Sequence, residues 1–125
     1  MLNIRQYNPR VYKNAKKWKR QRVTRGFADV DTWNLDLHLL TLLPEMIDHL
    51  AKNSHGWPQS EQFPEFKDWQ NYLFNISNKM RRAYHLAAEA MPLTCADMKE
   101  NDETADKLIK EALHDLGEVF FSLWD

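Results

Sequence analysis

The sequence predicts a small all-α bundle of three long amphipathic helices, preceded by a basic N-terminal helix or arm. Only three Gly and five Pro occur among 125 residues, too few for the turns that several short strands need. Hydrophobic residues make up 43% and charged residues 28%, the balance of a globular chain long enough to bury a core. Apolar residues also recur at three- and four-residue intervals in three long segments, which indicates helices.

Residues 1–28 are strongly basic. They hold nine of the 17 Lys and Arg residues and none of the 18 acidic ones, so residues 29–125 carry a formal charge of −10. Asn8 is suited to cap a helix that begins at Pro9 and runs for about four turns. Gly26 interrupts that pattern. We therefore expect residues 1–28 to form an arm or helix and residues 29–125 to form a single helical domain.

The second helix is predicted to begin near Asp29 or Asp31, which are suited to cap it. Its apolar face has helical spacing and a broad stripe, formed by Trp33, Leu37, Leu40, Ile47 and Leu50, with Leu39, Leu43 and Met46 widening it. Pro44 lacks an amide donor and is expected to kink or split this helix. Residues 53–64 are predicted to be a loop from their Gly, Pro and polar content.

The clearest helix is predicted from Glu65 to Met91, between Pro64 and Pro92. Its heptad-like stripe consists of Phe66, Trp69, Leu73, Ile76, Met80, Ala83, Ala87 and Ala90. Such a stripe needs a partner helix, either within the fold or in a second copy as a homodimer. The last helix is predicted from about Asp102 to Trp124, with Asp102 and Glu103 at its capped start and Cys95 partly buried before it.

The arm combines cations with aromatic rings, including Tyr7 and Tyr12, which is typical of proteins that bind phosphates and stack on bases. The candidate binding residues of the arm are Lys13, Lys16, Lys17, Trp18, Lys19, Arg20, Arg22 and Arg25. They predict an anionic partner, with nucleic acid among the candidates. The alternative is that the arm docks on the acidic remainder of the chain and neutralises it.

The sequence predicts no metal, no cofactor and no catalytic residue. It has no P-loop, no GxSxG and no dinucleotide fingerprint, and none of its five histidines belongs to a paired-His helix motif. Glu45 with Asp48 or His49 is the nearest approach to a two-ligand cluster, and solvated helix surface explains those residues better. The single cysteine, a polar start and the absence of an apolar run of about 18 residues predict a cytoplasmic protein that does not enter the membrane.

The C-terminal HDLGEVFFSLWD resembles the EELGDVLFYL-type helix of MazG-like nucleotide pyrophosphohydrolases. In that family two acids of this helix and an ExxE pair on an earlier helix hold magnesium around a triphosphate. The resemblance implies that Asp115 and Glu118 are the matching acids. The ExxE pair of this chain, Glu100 and Glu103, lies only 15 residues earlier, in the expected entry to the same helix. Nucleotide pyrophosphohydrolysis is therefore kept as the enzymatic alternative.

Residues 25–58 resemble a family of small uncharacterised proteins of tailed phages and prophages, with a G-[FWY]-x-D-x-D-x-W-x-L-D core and a G-[YHW]-P turn. The matching residues are Gly26, Phe27, Asp29, Asp31, Trp33, Leu35 and Asp36, then Gly56, Trp57 and Pro58. In this core, Trp33 and Asp36 share a helix face. An acid-and-indole patch facing residues 22–27 is one interpretation, and a capped helix start with Trp33 as a staple is the other.

The resemblance implies a phage accessory protein of the host cytoplasm that acts by binding. One expectation is an antagonist of host defence that binds an effector protein through the arm or sequesters a signalling nucleotide. The candidate pocket residues are Trp33, Asp36, Trp57, Trp69, Tyr72, Arg81, Arg82 and Tyr84. The other expectation is a DNA-binding or packaging helper, which predicts steep salt dependence of duplex binding.

Overall fold

A computed structural model describes the backbone of residues 9–124 and the side chains of residues 14–124. It confirms the all-α prediction, with four α-helices and no strand in the described part of the chain. The helices are α1 (Pro9–Arg25), α2 (Leu35–Asn53), α3 (Phe66–Tyr84) and α4 (Cys95–Glu118). Across the described residues no helix is both long enough and apolar enough to span a membrane.

The chain divides into two compact units, Met1–His38 and Leu39–Asp125. The predicted boundary lay after residue 28. The observed one lies ten residues later and within α2, so residues 29–38 belong with the basic segment.

The first unit contains α1 and a 3-10 turn at Asp29–Thr32. The predicted basic helix beginning at Pro9 is observed, and its proposed cap Asn8 lies outside the described residues. The chain reverses at Gly26, whose φ of +88° is in the left-handed region that glycine adopts without strain. The prediction that Asp29 or Asp31 caps α2 is wrong, because α2 begins only at Leu35.

In the second unit, α3 supplies most of the largest fully buried side chains. Its stripe is buried against α2, α4 and the loop, and the largest fully buried side chains include Trp69, Leu73, Ile76 and Met80. The partner helix that this stripe needs is therefore found within the chain. The stripe from Trp69 to Ala83 is covered by its own chain, whereas Ala87 is exposed, and a homodimer through the Phe66–Ala90 stripe stays a prediction.

Pro44, predicted to kink or split α2, is buried inside a continuous helix, which excludes the split. Three other local predictions in this unit need correction. The end of the predicted third helix is a π-helical turn, His85–Glu89, rather than regular α-helix. The last helix begins at Cys95, where the Thr94 hydroxyl accepts a hydrogen bond from the Asp97 amide at 3.0 Å, so Asp102 and Glu103 lie inside it. Cys95 itself is exposed rather than partly buried.

Candidate functional site

Two faces of α1 differ in what their cations contact. Successive residues of an α-helix turn by about 100°, so Lys17, Trp18, Gln21, Arg22 and Arg25 share one side, here called the inner face. The inner face contacts the 3-10 turn through the ion pairs and hydrogen bonds described next. The opposite side, here called the outer face, carries Lys16, Lys19, Arg20 and Val23.

Asp31 binds the inner face of α1 through Arg22. The guanidinium of Arg22 donates to both carboxylate oxygens, from Nε at 3.1 Å and from Nη2 at 2.8 Å. The Ala28 amide donates to the same carboxylate at 2.8 Å. These bonds, that of Arg22 foremost, lower the pKa of Asp31 to about 2, although burial opposes the shift. Asp31 is therefore charged at neutral pH and holds the turn after Gly26 against α1.

Asp29 contacts the other polar side chains of the inner face. It accepts from the Gln21 amide at 2.9 Å and from the Arg25 guanidinium, and Lys17 Nζ lies 3.7 Å away. The Asp29 amide in turn donates to Gln21 Oε1 at 2.9 Å. The hydrogen bonds from Gln21 and then Arg25 lower the pKa of Asp29 below its usual value. Three inner-face cations are thus matched by two carboxylates from the next turn of chain.

The outer face keeps its positive charge uncompensated. Lys16, Lys19 and Arg20 are exposed, and none forms an ion pair with another described side chain. Lys13 lies about one turn earlier on the same helix, and its side chain is outside the described residues. The outer face is therefore a strip of cations that contacts solvent and is accessible to a ligand.

Aromatic rings accompany this arrangement in the first unit. Trp18 and Trp33 meet edge to face with ring centroids 5.7 Å apart, and Trp33 remains 65% exposed. The guanidinium of Arg25 lies over the Phe27 ring, 4.4 Å from its centroid. An exposed indole beside cations supplies a stacking surface for a base. Of the acids predicted to face residues 22–27, Asp29 accepts a hydrogen bond from Arg25, whereas Asp36 is exposed and accepts one from the Leu37 amide.

The candidate pocket residues are divided between the two units. Trp33 and Asp36 belong to the first unit and the other six to the second. Trp69 is only 1% exposed and packs against Phe63, so it belongs to the core and does not line a ligand site. Tyr72 stacks on Trp69 and donates its hydroxyl to the Asp115 carbonyl at 2.7 Å.

The remaining pocket candidates have separate structural roles. The Trp57 indole packs on Phe66 and donates to the Phe63 carbonyl at 3.0 Å, which closes the loop before α3. Arg81 pairs with Asp48 and, at 3.0 Å, with Glu45, and so joins α3 to α2. Arg82 is exposed and Tyr84 is half-buried. These positions give no support to a nucleotide pocket in the second unit.

The acids of the enzymatic alternative lie along one helix. Glu100, Glu103, Asp115 and Glu118 all belong to α4. The 12 residues between Glu103 and Asp115 place them about 18 Å apart along the axis, too far to share a magnesium ion. Asp115 instead pairs with Lys79 at 3.5 Å. Among the described residues no group of three or more His, Cys, Asp or Glu is placed to hold a metal ion.

Sequence reasoning missed the part that Gln21 plays. Gln21 exchanges two hydrogen bonds with Asp29 across the Gly26 reversal, and so joins the inner face of α1 to the 3-10 turn. The available signal was its position one turn before Arg25, on the side that carries Trp18 and Arg22.

Comparison with other proteins adds no assignment. The chain matches no protein-family model, no curated protein and no solved structure. Its functional interpretation therefore depends on the geometry of its own residues.

Proposed function

We propose that this chain is a phage accessory protein that acts by binding the phosphates of duplex nucleic acid through the outer face of α1. The observation that carries the proposal is the division of charge on α1. Asp29 and Asp31 take up the inner-face cations, whereas Lys16, Lys19 and Arg20 stay exposed without an ion pair among the described residues. The phage setting and the host cytoplasm come from the motif resemblance of residues 25–58.

The spacing of the outer-face cations suits a polyanion with closely spaced charge. Lys16 and Arg20 lie about 6 Å apart along the helix axis. Duplex DNA carries one charge per about 1.7 Å of its axis, so such a row of cations faces phosphates in any register. This contact recognises charge rather than sequence, which fits a protein that occupies nucleic acid or the nucleic-acid part of a host effector.

The acidic second unit restricts binding to α1. It carries most of the 18 acidic residues of the chain, so it repels phosphate. A host effector without nucleic acid is the competing partner, and the salt dependence of binding separates the two.

The test is a salt titration of duplex-DNA binding by the full chain. For three phosphate contacts, log K against log salt concentration has a slope of about −2.7, which is about 40-fold weaker binding between 50 and 200 mM salt. Replacing Lys16, Lys19 and Arg20 together with Gln removes that slope.

A matched control removes the same charge elsewhere. Lys67, Arg82 and Lys107 are exposed cations of the second unit, and their triple replacement with Gln is expected to leave both affinity and slope unchanged. Equal losses of affinity in the two triple variants would show that net charge, not the outer face of α1, determines binding. Absence of duplex binding by the unmodified chain at low salt would overturn the proposal.

A further inference from the structure

The side of α2 that faces away from the core is apolar from Leu39 to Met46. Leu39, Leu42 and Met46 are 38%, 45% and 56% exposed, whereas Ile47 and Ala51 of the same helix are buried in the core. The exposed residues continue at three- and four-residue intervals through His49 to Asn53. This series, Leu39, Leu42, Met46, His49 and Asn53, is here called the α2 stripe. Spacing of this kind is that of a helix that packs against another helix.

The C-terminal half of the α2 stripe borders a shallow groove. The groove has a volume of about 350 Å³ and is lined by Met46, His49, Leu50, Asn53 and Ser54. Its lining is mainly apolar, and at its end lies Ser54 Oγ, a buried oxygen with no hydrogen-bond partner in the described part of the chain. A projecting Met46 side chain and an adjacent apolar groove are the two halves of a knob-into-hole contact.

The charges beside the α2 stripe are complementary to a second copy of themselves. Glu45 and Lys52 lie along the same edge of the stripe, two turns apart. Lys52 is exposed and forms no ion pair with a described side chain, although its charge helps to lower the pKa of Asp48, and Glu45 is 73% exposed while it pairs with Arg81. When two copies of α2 pack antiparallel with Met46 opposite His49, Glu45 of each copy faces Lys52 of the other. Each favourable pair then occurs twice, as twofold symmetry requires.

We propose that the α2 stripe is a homodimer interface in which two α2 helices pack antiparallel, each Met46 entering the groove of the other copy. The occupant is a second copy of this chain because the stripe supplies both the knob and the groove, and both charges of the ion pair. A helix segment of 15 residues is about 22 Å long, so its face buries less than the about 800 Å² per partner of a standard interface. The dimer is therefore weak and depends on concentration.

Sedimentation equilibrium of the full chain over the micromolar range tests the interface. We expect a reversible monomer–dimer equilibrium, weakened at least tenfold by Leu42→Asp or Met46→Asp. Both side chains are half-exposed, so circular dichroism is expected to show that each variant keeps its helices. Leu113→Asp, at a residue of α4 that is 51% exposed, is the matched control and leaves the equilibrium unchanged.

A charge exchange tests the antiparallel register. Lys52→Glu alone and Glu45→Lys alone place like charges opposite each other twice, so each variant is expected to be monomeric. An equimolar mixture of the two restores both ion pairs, and the mixed dimer is expected at the strength of the unmodified one. Arg81 keeps its pair with Asp48 in the Glu45 variant, which preserves the α2–α3 contact.

Two outcomes would overturn the proposal. In the first, the mixture associates no more strongly than its components, which excludes this register. In the second, the unmodified chain is monomeric throughout and its Met46 resists oxidation by peroxide, which shows the α2 stripe covered within its own chain. Neither outcome touches the α1 proposal, since duplex binding is measured on different residues.

Discussion

Each of the two units of this chain is stabilised internally by a different kind of interaction. Among its described residues the first unit buries only Ala28 and Asp31, and its geometry comes from the Arg22–Asp31 pair and the bonds around Asp29. The second unit buries a connected apolar cluster around Trp69, Leu73, Ile76 and Met80. The lesson is that charge positions the cations of α1, whereas burial positions α3 and α4. Pairs of charges respond to pH and to salt, and an apolar core does so far less.

Trp69→Ala should have the largest effect, and it should fall on the second unit. Trp69 is 1% exposed and contacts Phe63 and Tyr72, so truncation leaves a large cavity. We expect the free energy of unfolding to fall by about 3–5 kcal/mol, measured by denaturant titration of the helical signal. Trp124→Ala, at a residue that is 63% exposed, should change it by no more than about 0.5 kcal/mol. Similar losses for the two variants would mean that Trp69 is not a core residue.

The sequence predicts best the elements that are stabilised by apolar burial. The apolar spacing of α3 indicates both a helix and its buried face, because burial of one face imposes that period. For α2 the period predicted the helix and not the buried side. Leu39 and Met46 have helical spacing with Ile47 and Leu50, yet the first two are exposed. A helix that is apolar on two sides does not reveal which side its own chain covers.

Features set by polar contacts were harder to predict. Apolar periodicity in α4 begins near Ala105, whereas the helix starts ten residues earlier, at Cys95, directly after the Thr94 cap. The Thr94 to Asp97 spacing was the overlooked signal. The Arg22–Asp31 pair joins residues nine apart across a reversal at Gly26, and no period of the sequence encodes that contact. Asp29 and Asp31 are good capping residues by type, so the sequence predicts them at the start of α2 rather than in a turn that binds α1.

Asp31→Asn should disrupt the first unit and leave the second intact. The substitution removes the carboxylate that accepts two bonds from Arg22 and one from the Ala28 amide. We expect the amides of α1 and of the 3-10 turn to lose hydrogen-exchange protection, while the amides of α3 keep theirs. Asp36→Asn is the matched control, because Asp36 is an exposed acid of the same unit and its substitution removes the same charge. Equal loss of protection in both variants would show that net charge, not the Asp31 contact, orders α1.

Acid should have the smallest effect, and its pH range identifies the group responsible. The pKa of Asp31 is about 2 in the folded chain, against an ordinary value of about 3.9. A lowered pKa stabilises the folded state above the ordinary value, and this contribution is lost as the pH falls through about 2. The lowered pKa of Asp29 adds to the loss in the same direction. We therefore expect the edge-to-face contact of Trp18 and Trp33, followed by the NMR shifts of their indole protons, to persist at pH 4 and to weaken toward pH 2. In Asp31→Asn the change of the indole shifts between pH 4 and pH 2 should be absent. If that change persists in the variant, other carboxylates cause it, and the charge of Asp31 does not stabilise the first unit.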